Sequence, residues 1–118
     1  KKIFFTGYIE DLHVPNIYRR ATLFVFPSLY EGFGLPLLEA MATKTVVLSS
    51  NYASLPEVGG QNVLYFNPKD EIELKEKMVE ILKDKKLRVY FEKIGLEHAK
   101  KFSWKKSAEK HLNLLESL

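Results

Sequence analysis

The sequence predicts an α/β fold, a parallel sheet of about four strands with flanking helices and a helical C-terminal third. Three observations carry this reading. Four-residue apolar runs alternate with helix-type segments through the first two thirds of the chain. The runs are apolar at successive positions, as in strands buried on both faces beneath crossover helices. Beyond Asp70 only helical periodicity remains.

Taken in order, "IFFT" (Ile3–Thr6) is the first strand candidate, ended by Gly7. Leu12–Ala21 suits a short helix starting at or near Pro15, since proline is tolerated in a first turn. "LFVF" (Leu23–Phe26) is a continuous apolar run closed by Pro27. The turn "SLYEGFG" and the helix "LPLLEAMA" follow, then the third and fourth strands, "VVLS" (Val46–Ser49) and "VLYF" (Val63–Phe66). Ser54 with Glu57, and Asp70 with Glu73, have capping-box spacing. Leu74, Met78, Ile81 and Leu82 form one helical stripe, and Leu87, Tyr90, Phe91 and Ile94 another. Ser103 caps a last helix whose Ala108, Leu112 and Leu115 are expected to face inward.

A chain of 118 residues suits one domain, residues 1–118. Cysteine is absent, which excludes a disulfide framework or a thiolate metal site. No apolar run approaches the roughly 20 residues of a bilayer span. The net charge of +3 comes from lysines that alternate with glutamates along the C-terminal half, the pattern of solvated helix faces and not of a nucleic-acid groove. The chain opens on Lys1 and runs straight into an apolar segment, so we expect a piece of a longer protein.

The chemistry concentrates in "YEGFGLPLLEA" (Tyr30–Ala40), where strand leads into helix, the place where open parallel sheets bind ligands. Gly32 and Gly34 let backbone amides approach a ligand and tolerate positive φ. Pro36 fits the first helical turn. The free amides and the positive end of the helix dipole then suit a phosphate. Glu39 lies in a helix that is otherwise apolar, with no Lys or Arg at positions 35, 36, 42 or 43 to pair with it. Its side chain leans toward the helix N-terminus, and a carboxylate accepts two hydroxyl hydrogen bonds, as a ribose diol supplies. Glu31, in the turn, lies on the other side of the phosphate position. On spacing alone, a solvated helix edge at Glu39 and a polar loop residue at Glu31 explain the pattern equally well.

The stretch "FPSLYEGFGLPLLEAMATKTVVLSSNYASLPEV" resembles the signature of retaining GT-B glycosyltransferases of the family-4 type, the glycosyl transferases group 1 domain. "FTGYI" is similar to that family's base-binding strand end, "FNPKD" to the strand closing its sheet, and "KKFSW" to its closing motif. The resemblance implies a Rossmann-like, partial C-terminal domain of a GT-B fold, bearing the donor site. It implies that Glu31, the candidate catalytic residue, contacts hydroxyls of the donor sugar, and that Glu39 contacts the ribose. Amides around Gly32, at Phe33, Gly34 and Leu35, would hold sugar and phosphate oxygens, with Tyr8 and Ile9 beside the nucleobase. The implied reaction transfers a sugar from a nucleoside diphosphate to an acceptor with retention, without cofactor or metal; the chain has no Asp-x-Asp motif. Amides and helix dipole would stabilise the leaving diphosphate.

By the same resemblance, the implied partners are a nucleotide-sugar donor and a glycan, lipid-linked or small-molecule acceptor, with no nucleic acid. The implied location is cytoplasmic, with peripheral membrane contact through the parent protein. An early segment carrying Arg and Lys for the diphosphate, and an N-terminal acceptor domain, are expected outside this chain. Neither Lys2 nor Lys44 matches those positions, so the chain alone is expected to bind donor weakly and not to catalyse transfer. A sheet edge exposed where earlier strands would lie favours self-association. Where the family has a Gly-x-Pro step after "EAMA", this sequence has Lys44, Thr45 and Val46. Two alternatives remain at this level: a non-catalytic nucleotide- or protein-binding module, and a GT-B-type nucleotide-sugar epimerase.

The other polar residues have simpler readings. His13, His98 and His111 have no metal-ligand spacing and are expected at the surface or partly packed. "KKFSWKK" (Lys100–Lys106) interleaves aromatics with lysines and suits either a packed helix corner or an anionic membrane surface. Ser28 has no His or Asp partner in sequence reach and is assigned no nucleophilic role.

Overall fold

The computed structural model describes residues 2–118. In chain order the elements are α1 (Val14–Arg20), β1 (Phe24–Phe26), α2 (Leu35–Ala42), β2 (Val47–Ser50), α3 (Leu55–Gly59), β3 (Leu64–Phe66), α4 (Glu71–Lys83), α5 (Lys85–Ala99) and α6 (Trp104–Glu116). The strands form a parallel sheet in the order β1-β2-β3, with Phe24 opposite Val47 and Leu48 opposite Leu64. The central strand, β2, is buried along its whole length.

Alternation along the strands sorts side chains into two layers. On one face, Phe24, Phe26, Val47 and Tyr65 pack with Tyr18 of α1, Leu37 and Met41 of α2, and Leu55 of α3. On the other, Val25, Leu48 and Phe66 pack with Met78 and Ile81 of α4 and with Leu87 and Phe91 of α5. The C-terminal half of α5 joins the first layer, where Gly95 lies against Met41; a Cβ there would stand 3.2 Å from Met41 Cγ. Arg88 of α5 donates to the carbonyls of Ile81 (2.7 Å) and Leu82 (2.6 Å), closing the C-terminus of α4.

Several caps follow the sequence. The Glu73 amide donates to Asp70 Oδ1 (2.9 Å), and Glu73 Oε2 reaches back to the amide of Asn67 (2.9 Å). The Lys106 amide donates to Ser103 Oγ (3.1 Å) at the start of α6.

Four expectations are corrected. Ile3–Thr6 forms no strand, so the sheet has three strands and not four; Ile3, Phe4 and Phe5 lie exposed. A strand is held by its neighbour, and these residues find no pairing partner among the described residues. The stripe of Ala108, Leu112 and Leu115 on α6 is also exposed. Its capped start holds the helix in place, but the described residues offer no surface that covers the stripe. On the preceding helices, Leu82 and Tyr90 lie at the exposed margins of their stripes. Finally, Ser54 does not cap α3, since its hydroxyl is used elsewhere.

The end of α2 shows how the missing glycine step is met. The Lys44 amide donates to Met41 O (3.1 Å) and the Thr45 amide to Ala40 O (3.0 Å), a Schellman closure. That closure puts Lys44 at φ +61°, where a side chain is strained. Lys44→Gly is therefore expected to stabilise the fold by about 0.5–1 kcal/mol, the relieved strain exceeding the added unfolded-state entropy. Thermal unfolding checks this, with a rise in Tm of about 3 °C expected.

Candidate functional site

β1 ends at Phe26, and the loop that follows delivers the chain to α2 through a tightly specified turn. The Ser28 hydroxyl lies 3.0 Å from the Tyr30 carbonyl and 3.2 Å from Glu31 Oε1, so it can donate to either. The Ser54 hydroxyl, reaching over from the loop after β2, donates to the Glu31 carbonyl (3.1 Å). Two adjacent strand-to-helix loops are thus tied together at Glu31, which is half-buried.

Gly34 is the N-cap of α2, with φ +93° and ψ +45°. It is buried, and a Cβ on it would stand 2.6 Å from Leu55 Cδ2. Both conformation and space therefore demand glycine. Gly32 differs from expectation: its φ lies outside the left-handed region and a Cβ would meet nothing within 4 Å. The amides of Phe33, Gly34 and Leu35 donate to no protein acceptor among the described residues. With the dipole of the eight-residue α2 behind them, they present donors and partial positive charge to the crevice.

Glu39 lies on the exposed side of α2, five residues past the N-cap, about 7 Å along the axis. Among the described residues it has no ion pair; the Tyr18 hydroxyl of α1 donates to its Oε2 at 3.4 Å. Burial pushes the Tyr18 phenol above its ordinary value, and the facing Glu39 carboxylate pushes it further. Sequence spacing gave no sign of Tyr18, because the two residues meet only when α1 packs beside α2.

Phe33 is held from the far side. Its ring stands edge-on to Phe102 (centroids 6.2 Å), which stands edge-on to His98 (5.2 Å). His98 Nε2 lies 2.7 Å from the Val58 carbonyl, which requires the tautomer or charge state with a proton on Nε2. His111 Nδ1 makes the same kind of bond to Ser107 O, also 2.7 Å. His98 is thus partly packed and His111 lies at the surface, both as expected. A groove of about 600 Å³, unforeseen in the sequence, runs between α2 and the start of α6, lined by Phe33, Leu38, Glu39, Trp104, Lys106 and Lys110 among others.

Tyr8 and Ile9, expected beside the nucleobase, lie in a segment without regular secondary structure. Tyr8 is exposed and Ile9 is half-buried, and among the described residues the Tyr8 hydroxyl makes no hydrogen bond.

A tyrosine behind the site carries a pH prediction. The Tyr65 hydroxyl donates to the Gly60 carbonyl (2.9 Å), and burial pushes its phenol up to about 12. The folded state thus holds this proton more tightly than the unfolded chain, whose tyrosines ionise near pH 10. Its contribution to stability is complete below about pH 10 and is lost as pH rises toward 12. Alkaline unfolding followed by circular dichroism should show a shallower loss for Tyr65→Phe than for the unaltered chain.

A half-buried carboxylate, a run of free amides at a helix start and a second carboxylate along the same helix can together bind an anion flanked by hydroxyls. The sequence matches the family model described as "Glycosyl transferases group 1" over residues 1–98. It is 40% identical over 114 residues to O-antigen chain mannosyltransferase B of Escherichia coli, covering 97% of this chain and 30% of that protein. Sucrose-phosphate synthase from Thermosynechococcus elongatus superposes with a TM-score of 0.87 at 30% identity, over 97% of this chain and 29% of that one. The C-terminal domain of a glycosyl transferase group 1 family protein from Francisella tularensis superposes with a TM-score of 0.71 at 31% identity, over 80% of this chain and 50% of that one. The chain thus spans less than a third of the length of the first two. With the α/β fold, and with the glycine turn and the two glutamates lying within the matched residues, the chain belongs to the glycosyl transferases group 1 family.

Proposed function

We propose that this chain is the donor-binding part of a glycosyltransferase that moves a sugar from a nucleoside diphosphate to an acceptor, with retention at the anomeric carbon. The observation that carries the reading is the buried, left-handed Gly34, which opens α2 so that the amides of Phe33, Gly34 and Leu35 remain free. A diphosphate placed there meets fixed donors and the positive helix end. As the glycosidic bond breaks, charge grows on the leaving diphosphate, and these groups need no rearrangement to stabilise it. In this reading no metal or cofactor takes part.

Glu31, its backbone anchored by Ser54, accepts hydroxyls of the donor sugar; Glu39 accepts those of the ribose. Tyr8 and Ile9 lie beside the nucleobase. The acceptor, a glycan, a lipid-linked acceptor or a small molecule, binds outside this chain, and the chain alone does not catalyse transfer. We place the parent protein in the cytoplasm at the periphery of the membrane, with exposed Trp104 and its neighbouring lysines suited to an anionic surface. The unpaired edge of β1 and the exposed Ile3–Phe5 segment favour self-association, which sedimentation reads as a concentration-dependent dimer. A clean monomer at high concentration removes that part of the proposal.

Saturation-transfer NMR with UDP-glucose, GDP-mannose and ADP-glucose tests the donor site. One nucleotide sugar is expected to bind at roughly millimolar affinity, about −4 kcal/mol, and Glu39→Gln is expected to abolish the ribose signal. Binding that survives unchanged in Glu39→Gln removes the assigned role of that residue.

A further inference from the structure

We infer that Tyr18 is a positioning residue for Glu39, its hydroxyl holding one carboxylate oxygen so that the other is left for a ligand hydroxyl. The inference rests on the donor-site reading of Glu39 given above. Three contacts fix Tyr18. Its ring stands edge-on to Phe24 of β1, with centroids 5.0 Å apart at 83°. Its backbone carbonyl accepts the Thr45 hydroxyl at 2.6 Å. Its own hydroxyl donates to Glu39 Oε2 at 3.4 Å.

Thr45 is buried and belongs to the closure of α2: its amide donates to Ala40 O, and its hydroxyl lies 3.1 Å from that of Thr43. One residue of α1 is therefore joined to α2 at two places, the C-terminal closure and the Glu39 side chain. An exposed glutamate on a helix samples several rotamers, and ordering it on binding costs affinity. A donor held rigidly by β1 and by the end of α2 removes part of that cost. It also acts without charge. A lysine or arginine at the same place would neutralise the carboxylate and compete with ligand hydroxyls for both oxygens.

The test uses 13Cζ-tyrosine NMR and the same titrations with UDP-glucose, GDP-mannose and ADP-glucose. The Tyr18 resonance, assigned by its loss in Tyr18→Phe, is expected to titrate above the ordinary phenol range and to move downward in Glu39→Gln, because Glu39 is the charged group facing it. Tyr18→Phe should retain the melting behaviour of the unaltered chain yet bind the nucleotide sugar about fivefold more weakly, the cost of ordering one side chain on binding. A Tyr18 titration unmoved by Glu39→Gln, or equal ligand affinity in Tyr18→Phe while Glu39→Gln loses binding, overturns the inference and leaves the donor site standing. Failure of the unaltered chain to bind any of the three nucleotide sugars overturns the donor reading and this inference with it.

Discussion

Gly34→Ala is expected to destabilise the chain by about 3 kcal/mol and to abolish nucleotide-sugar binding. Two costs add at this position. A side chain at φ +93° is strained by about 1–2 kcal/mol. The new methyl group also stands 2.6 Å from Cδ2 of the fully buried Leu55, and overpacking of this kind costs about 1–3 kcal/mol. The reduced freedom of the unfolded chain returns somewhat less than 1 kcal/mol. Against a total stability of about 5–15 kcal/mol the loss is large but leaves a folded population. Urea unfolding should therefore show a lower midpoint with an unchanged slope. Binding falls by more than the stability change accounts for, because the strain is relieved by moving the amides that meet the ligand.

Leu55→Ala is expected to cost about 3 kcal/mol for a related reason. Leu55 is buried completely beside Leu37, Met41 and Val63, and its truncation leaves a cavity under the glycine turn. The two substitutions share one contact, so they should not add. Gly34→Ala/Leu55→Ala should be less destabilised than the sum of the single variants by about 1 kcal/mol, since the alanine methyl occupies space the leucine vacates. Additive losses in urea unfolding would show that the strain at Gly34 lies wholly in its backbone.

Where a segment's burial is decided locally, the sequence could be read. Helix α2 covers the very residues of "LPLLEAMA", because Pro36 and the glycine turn define its start. Each of the three observed strands lies within one residue of its apolar run. The turn between β1 and α2 could be placed for the same reason: a strand end, two glycines and two prolines between Phe26 and Pro36 admit few backbones. Segments whose state depends on a distant surface could not be read. Ile3–Thr6 has the composition of a strand, but ladder bonds belong to a pair of strands. Helix α6 has an apolar stripe, but periodicity says only that a face would be buried, not that a surface exists to bury it. Ser54 had two uses open to it, and the Glu31 carbonyl of a loop distant in sequence won over the local cap. The Tyr18 contact to Glu39 was hidden in the same way.

The central claim is that the free amides at the start of α2 receive a diphosphate. The most direct test is a 1H–15N titration of the chain with GDP-mannose, UDP-glucose and ADP-glucose, read residue by residue. The account expects the largest shifts at the amides of Phe33, Gly34 and Leu35, smaller ones at Glu31 and Glu39, and none of these in Gly34→Ala. Shifts confined to the groove residues between Lys101 and Lys110, with the amides of the turn unmoved, would contradict it.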